Sequence, residues 1–223
     1  MNDFQRTDAW LLQRKGKLTA SEIVNILTKG RGKDEYFGKT AYTYLNDKIA
    51  ERLMDDEMFI YYMNDVKKST PAMRWGSEYE DIAREQYELA TGCKVMDCPF
   101  TPMSGYEDYV GGSPDGRRST LDRIIEIKCP YNPSVHIEHC KWVKPEDLKV
   151  GNPQYYAQVQ HNMLITGTEI CDFISYSPLY RRGMDLHILE VPIDKEFTDN
   201  LLERIGKSVD YMKEQMKMLT LDK

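Results

Sequence analysis

The 223 residues contain no apolar run approaching the ~18 needed for a membrane-spanning helix, so a helical membrane protein is not expected. The opening stretch, MNDFQRTDAW, lacks an apolar signal core, and secretion by that route is not expected. Cysteine is scarce and odd in number: Cys93, Cys98, Cys129, Cys140 and Cys171, at irregular spacing. That argues against a disulfide scaffold and for a reducing compartment. There is no internal repeat, low-complexity tract or Gly/Ser linker, and the most linker-like segment is the polar run from Asn64 to Thr70. Positive charge is not in excess either. Lys and Arg number 30 against 36 Asp and Glu, a net −6, so the overall charge does not advertise nucleic-acid binding.

What is present is an ordinary globular composition, 41% hydrophobic and 30% charged, in a length that suits a single domain over 1–223. The charge is uneven. Between Arg14 and Lys33 lie Arg14, Lys15, Lys17, Lys29, Arg31 and Lys33 against one acid, Glu22, a local net of +5. A solvated surface and an anion-binding face both fit such a run.

Thr19 with Glu22 three residues on predicts a capping box, followed by the helical stripe Ile23, Ile26, Leu27 and a stop at Lys29-Gly30. A second helix is predicted after Pro71, with Tyr79, Ile82, Ala83, Gln86 and Ala90 on one side and Gly92 ending it. Strands are predicted at Lys94 to Phe100, Tyr106 to Gly111 and Arg123 to Cys129, the last closed by Pro130. A third helix follows Pro153, with Tyr156, Val159, Met163 and Leu164 as its stripe. Two more strands follow, at Ile170 to Tyr176 and Leu186 to Val191. The chain closes on an amphipathic helix whose buried face is Phe197, Leu201, Ile205, Val209, Met212, Met216 and Leu219. This order predicts an α/β (α+β) fold, one mixed β-sheet flanked by helices.

Three segments carry candidate chemistry. Ser113-Pro114-Asp115-Gly116 reads as a turn at a strand end. In Ile125-Glu126-Ile127-Lys128, strand alternation puts Glu126 and Lys128 on one face and Ile125, Ile127 and Cys129 on the other. Glu80 lies on the helix after Trp75-Gly76. Neighbouring carboxylates suit a hard cation such as Mg²⁺, which favours oxygen ligands, and a lysine beside them can orient a water or stabilise developing charge. The set therefore suits metal-assisted phosphodiester hydrolysis. A hairpin with a surface Glu–Lys pair and an unrelated turn aspartate would show the same spacing.

Pro114-Asp115, ten intervening residues and then Glu126-Ile127-Lys128 match the PD-(D/E)xK nuclease signature. Around it, in order, stand Leu18-Thr19-Ala20-Ser21-Glu22, Trp75-Gly76-Ser77-Glu78-Tyr79-Glu80, Gly112-Ser113-Pro114-Asp115-Gly116, Glu126-Ile127-Lys128-Cys129-Pro130 and Tyr155-Tyr156-Ala157-Gln158-Val159-Gln160. Together, from about Trp10 to Tyr176, these segments resemble the exonuclease family of phage lambda, the YqaJ-type viral recombinases.

The resemblance implies a restriction-endonuclease-like core and a Mg²⁺-dependent 5′→3′ exodeoxyribonuclease, with Mn²⁺ as a substitute metal. It implies that Asp115, Glu126 and the main-chain carbonyl of Ile127 bind the metal. Lys128 would position or activate the attacking water, Glu80 would support the metal site, and Gln158 would line it, with Tyr155 one turn earlier. It implies a 5′-phosphate pocket of Arg14, Ser21 and Ser113. The position of Ser21 in the first turn of a helix suits an anion on its own account. Arg31, Lys33 and Tyr155 would belong to the DNA track. The family has a further acid upstream of Ser-Pro-Asp-Gly, where the nearest residues here are Glu107 and Asp108, with Asp108 preferred. The resemblance also implies duplex DNA ends as substrate, a ring-shaped homotrimer and a phage single-strand annealing protein as partner. A phage or prophage origin would place the protein in the bacterial host's cytoplasm. A restriction-like or repair endonuclease on the same fold is the alternative, and a catalytically silent DNA-binding scaffold is a third reading.

Other motifs are given no site. His136, His139 and Cys140 form half of a zinc pattern with no second pair to complete it. Cys93 and Cys98 are expected to be small buried residues. No cysteine follows Cys171, which argues against the iron–sulfur cluster of some nuclease relatives. Tyr36, Tyr42 and Tyr44 are expected to pack rather than to stack on bases.

Overall fold

A computed structural model describes residues 7–32, 35–120 and 122–220. Lys33, one of the residues assigned to the DNA track, lies outside them. The chain opens with α1 (Asp8–Arg14), a two-residue strand β1 (Leu18–Thr19) and a 3-10 helix, Ala20–Leu27. Next come α2 (Lys39–Leu53), α3 (Asp56–Tyr61) with a π turn at Tyr62–Val66, and α4 (Pro71–Thr91). Strands β2 (Val95–Met96), β3 (Thr101–Pro102), β4 (Val110–Gly112), β5 (Gly116–Arg118) and β6 (Ile124–Lys128) follow. Three helices, α5 (Pro133–Cys140), α6 (Pro145–Gly151) and α7 (Pro153–Thr166), lead to β7 (Ile170–Tyr176), β8 (Leu186–Pro192) and α8 (Lys195–Thr220).

The strands form two sheets where one was expected. The smaller runs β1-β4-β3 and the larger β2-β5-β6-β7-β8. Within the larger sheet only β6 and β7 are parallel, joined by the α5–α7 crossover. One face, with Ile124, Cys171, Phe173, Leu189 and Val191, packs on α6 and α7. The other, with Ile125, Ile127, Cys129, Ile174 and Tyr176, packs on α4 through Ala83 and Tyr87. A third cluster joins the 3-10 helix, α2 and α8.

Local signals explain the frame. Thr70 caps α4 by accepting from the Met73 N–H, Pro71 opens it, and Gly92 ends it at φ 67°. Asn152 caps α7 through the Tyr155 N–H, with Pro153 at its start and Gly167 at φ 69° after its end. The docking of α4 on the sheet is pinned by the Tyr87 hydroxyl, which donates to buried Asp172. Arg123 and Arg118 close on the same carboxylate at 2.7 and 3.4 Å.

Several expectations are corrected. The capping box does not form: the Thr19 side chain makes no cap hydrogen bond, because Thr19 is held in β1, and Glu22 turns to Lys48 at 3.2 Å. The helical stripe after Pro71 runs through Ala83 and Tyr87, leaving Ile82 and Ala90 exposed. Strand 94–100 shrinks to Val95–Met96, and Leu219 lies beyond the buried face of α8. Residues 64–66 belong to the π turn rather than to a linker. Cys93 and Cys98 are only partly buried.

Candidate active site

Strand alternation aims Glu126 and Lys128 at α7, on the same face as Ile124. The Glu126 side chain is 1% exposed and surrounded by donors. Its Oε1 accepts from Lys128 Nζ at 2.5 Å and from Gln158 Nε2 at 2.6 Å. Its Oε2 accepts from Asn162 Nδ2 at 3.1 Å. Gln158 and Asn162 are one turn apart on α7, so a single helical ridge grips one carboxylate. Tyr155 lies a turn before Gln158, its ring 4.9 Å from Lys128 Nζ and packed beside His139 and Phe173. Tyr155 is half-buried there and faces the same site as Lys128.

Asp115 follows Ser113-Pro114 into β5. Its Oδ2 accepts from the Ile127 N–H at 2.6 Å, which fixes the turn against the middle of β6. Arg84, one turn after Glu80 on α4, donates to the Asp115 carbonyl at 2.6 Å and to Asp97 at 2.6 Å. Sequence reading overlooked Arg84, although its i+4 spacing from Glu80 was a usable signal.

The electrostatics follow from burial. Glu126 is pushed above the usual carboxylate range by loss of solvent and then by Asp115, and Glu80 adds to the effect. Burial alone would lower Lys128, but Glu126 and Asp115 outweigh it and raise the ammonium. The geometry places the Lys128 amine as a donor to Glu126 Oε1, at 2.5 Å.

Among the described residues no group of three or more His, Cys, Asp or Glu side chains is spaced to hold a metal. The donors available are two carboxylates, Asp115 and Glu126, and the Ile127 carbonyl. All are oxygens, and a set this small fits Mg²⁺, which retains several of its own waters.

A second cluster borders the first. Parallel pairing sets Leu18 against Val110 and Thr19 against Gly111, so Ser21 and Ser113, each two residues further on, emerge at the same end of β1 and β4. Arg14 reaches the same region, its guanidinium 4.3 Å from the Trp10 ring and 5.6 Å from that of Phe100. Phe100 lies so close to Gly111 that a Cβ there would meet its ring at 2.2 Å. Among the described residues no carboxylate lies in ion-pair contact with Arg14. The Ser113 hydroxyl donates to the Cys98 carbonyl at 3.3 Å. Gln154 at the start of α7 donates to the Ser21 carbonyl at 3.0 Å, joining this cluster to the helix that grips Glu126.

Other candidates fall elsewhere. Glu107 and Asp108 are exposed in the β3–β4 turn, at the opposite end of β4 from Ser113, where the Asp108 carbonyl accepts from Arg52 at 2.8 Å. Arg31 is exposed in the loop before α2, its N–H donating to Glu35. His136 and His139 both meet the Ser175 hydroxyl through Nδ1, at 2.9 and 2.8 Å. His136 Nε2 donates to the Met184 carbonyl, so its Nδ1 accepts the serine proton and His139 Nδ1 donates to Ser175 Oγ. Both rings are spent on structure. Tyr44 is buried and Tyr42 packs on Phe37 and Tyr211, while Tyr36 is exposed, its ring against Phe37 and its hydroxyl donating to Glu203.

Comparison with known proteins accords with this geometry. The chain is similar to an alkaline exonuclease (LHK-Exo) from Laribacter hongkongensis, with 26% identity, 96% of each chain covered and a TM-score of 0.75. The same enzyme in complex with dAMP gives 27% identity, 96% coverage of each chain and a TM-score of 0.76. A phage-related exonuclease from Haemophilus somnus 129PT shares the fold at 13% identity, with 92% of this chain and 96% of that one covered and a TM-score of 0.70. No curated protein matches. A family model, the YqaJ-like viral recombinase domain, matches residues 9–169, well over half the chain. The chain therefore belongs to the YqaJ-like viral recombinase family.

Proposed function

We propose that this protein is a Mg²⁺-dependent 5′→3′ exodeoxyribonuclease. In this reading it removes one strand of linear duplex DNA from a 5′-phosphorylated end and leaves a 3′ overhang. Family membership makes the chain a nuclease acting on DNA in recombination; metal, polarity and end preference are our reading. The observation that carries it is the joining, through α7, of two clusters: Asp115, Glu126 and Lys128 beneath Gln158, and Arg14, Ser21 and Ser113, of which Ser21 is tied to Gln154.

Asp115, Glu126 and the Ile127 carbonyl would hold the cation. When bound, it supplies charge neutralisation at the phosphate oxygens. The chain's own groups do the rest. The Lys128 ammonium donates to the attacking water or to charge developing on the scissile phosphate. Gln158 keeps the carboxylate beneath it fixed. Arg14, held over two aromatic rings with no carboxylate in ion-pair contact among the described residues, would offer its planar fork to a terminal phosphate, with Ser21 and Ser113 just past the paired ends of β1 and β4. Anchoring that end places the next phosphodiester in the first cluster and sets the direction of travel.

In the same reading the protein works as a homotrimeric ring around DNA, in the host cytoplasm, and hands its 3′ strand to an annealing protein. Among the described residues no helix is long and apolar enough to cross a membrane.

The test is digestion of matched linear and covalently closed circular duplexes, with 5′-phosphoryl or 5′-hydroxyl ends, in Mg²⁺ or EDTA, and with Lys128→Ala as control. Loss of linear DNA alone is expected, faster from the phosphate and abolished by EDTA or the substitution. Cutting of the circle would replace the exonuclease with an endonuclease. Binding without cutting would leave a scaffold.

A further inference from the structure

We propose that Asn162, which no motif singled out, is a positioning residue: it fixes the rotation of the Glu126 carboxylate, and through it the site that carboxylate builds. The inference rests on the proposed nuclease function and deepens it.

Asn162 is fully buried on α7, four residues after Gln158. Its amide nitrogen donates to Glu126 Oε2 at 3.1 Å, while Lys128 and Gln158 both donate to Oε1. Among the described residues, Asn162 is thus the side chain that gives Oε2 its donor. The two oxygens turn together about the Cγ–Cδ bond, so a donor on Oε2 adds a second point of restraint to the one that Lys128 and Gln158 place on Oε1. The amide oxygen of Asn162 is buried and has no hydrogen-bond partner. A buried acceptor left unsatisfied is a cost that an apolar residue of similar size would avoid, so packing alone does not account for the amide. The backbone is shaped around it as well. A Cβ at Gly112 would lie 2.6 Å from Asn162 Oδ1, so the strand leading to Ser113 and Asp115 admits the amide because that residue is glycine. Asn162 therefore sits, fully buried, between the strand that leads to one candidate metal carboxylate and the side chain of the other.

Full-length wild type, Asn162→Ala and Asn162→Ser are compared for fold by circular dichroism, for Mn²⁺ binding by EPR titration without DNA, and for steady-state digestion of 5′-phosphorylated linear duplex in Mg²⁺. Asn162→Ala is expected to weaken Mn²⁺ binding by ~10-fold or more, as loss of an outer hydrogen bond to a ligand does elsewhere. It is expected to lower kcat with KM for DNA ends unchanged. Asn162→Ser, which keeps a donor, is expected to regain part of both. A folded variant whose Mn²⁺ affinity and kcat stay within about twofold of wild type overturns the proposal, as does a change confined to KM. If Asn162→Ala does not fold, Asn162→Ser and Gly112→Ala are judged by the same criteria. Wild type that neither binds Mn²⁺ nor digests DNA overturns the nuclease reading; wild type that does both, with unchanged variants, overturns only the role of Asn162.

Discussion

Replacing Lys128 by Met removes the ammonium that lies 2.5 Å from a carboxylate with 1% exposure. Breaking a buried ion pair by deleting one partner costs ~3–5 kcal/mol because a charge is left uncompensated. The protein has an escape, since Glu126 can take up a proton. Its ordinary value is 4.5, and each pH unit above that adds ~1.36 kcal/mol to the work of protonation. The loss is therefore capped at about 4 kcal/mol at pH 7.5 and at under about 1 kcal/mol at pH 5, and it shrinks to the extent that burial and Asp115 already protonate Glu126 beside Lys128. The sign is that of an acid whose folded titration lies above its unfolded one: stability is retained at low pH and lost as pH rises through the window. Urea unfolding of the metal-free variant at both pH values, in EDTA, reads this difference from the midpoints. Lys128→Met with Glu126→Gln carries no buried charge at this pair and should recover most of the loss at pH 7.5. An equal loss at both pH values, or a double variant as unstable as the single one, would refute the assignment of the cost to an orphaned carboxylate.

Arg84→Ala, which unties the Asp115 carbonyl from α4, should lower kcat ~10-fold or more with little change in KM, and Arg84→Lys should recover part of it; steady-state kinetics on linear duplex decides. Arg14→Ala should narrow the rate difference between 5′-phosphoryl and 5′-hydroxyl ends, which matched substrates measure directly. Gly111→Ala drives a methyl into the Phe100 ring and should destabilise the fold by ~1–3 kcal/mol, read as a lower melting temperature. His139 and His161 are each pushed down to about 4, chiefly by burial, so the unfolded chain binds protons that the fold refuses. Stability should fall as pH drops from about 6.5 toward 4, by up to ~3 kcal/mol for each ring, and His161→Gln should flatten that slope in denaturant titrations.

Some of this was legible along the chain and some was not. Helix α4 lies between Thr70-Pro71 and Gly92 because cap and stop residues act locally. Strand 170–176 was read to the residue, since a run of β-branched and aromatic side chains needs no partner to be recognised. The strands of two or three residues in β1, β3 and β5 are too short for a period-2 pattern. Helix α2 escaped notice because its buried side includes Lys48 and Glu51, which read as solvent-facing until their 3.0 Å pairing is seen. The Thr19–Glu22 capping signal was overridden by β1 pairing and by Lys48, both tertiary contacts.

For the site, the order and chemical type of the residues were in the sequence: an aspartate at a turn, a Glu-x-Lys strand and a helix carrying glutamines. Strand alternation alone placed Glu126 and Lys128 on one face. The family resemblance, rather than periodicity, singled out Gln158 for that face. Gln158 grips Glu126, whereas Gln160, two residues on, is spent on the Pro192 carbonyl and the Asp194 N–H. Asn162 became visible only when α7 was laid on the face of β6 that carries Glu126. Local periodicity sets which residues share a side because it depends on backbone geometry within one element. Which side chain meets which carboxylate depends on how separate elements pack, and that contact exists only in the folded chain.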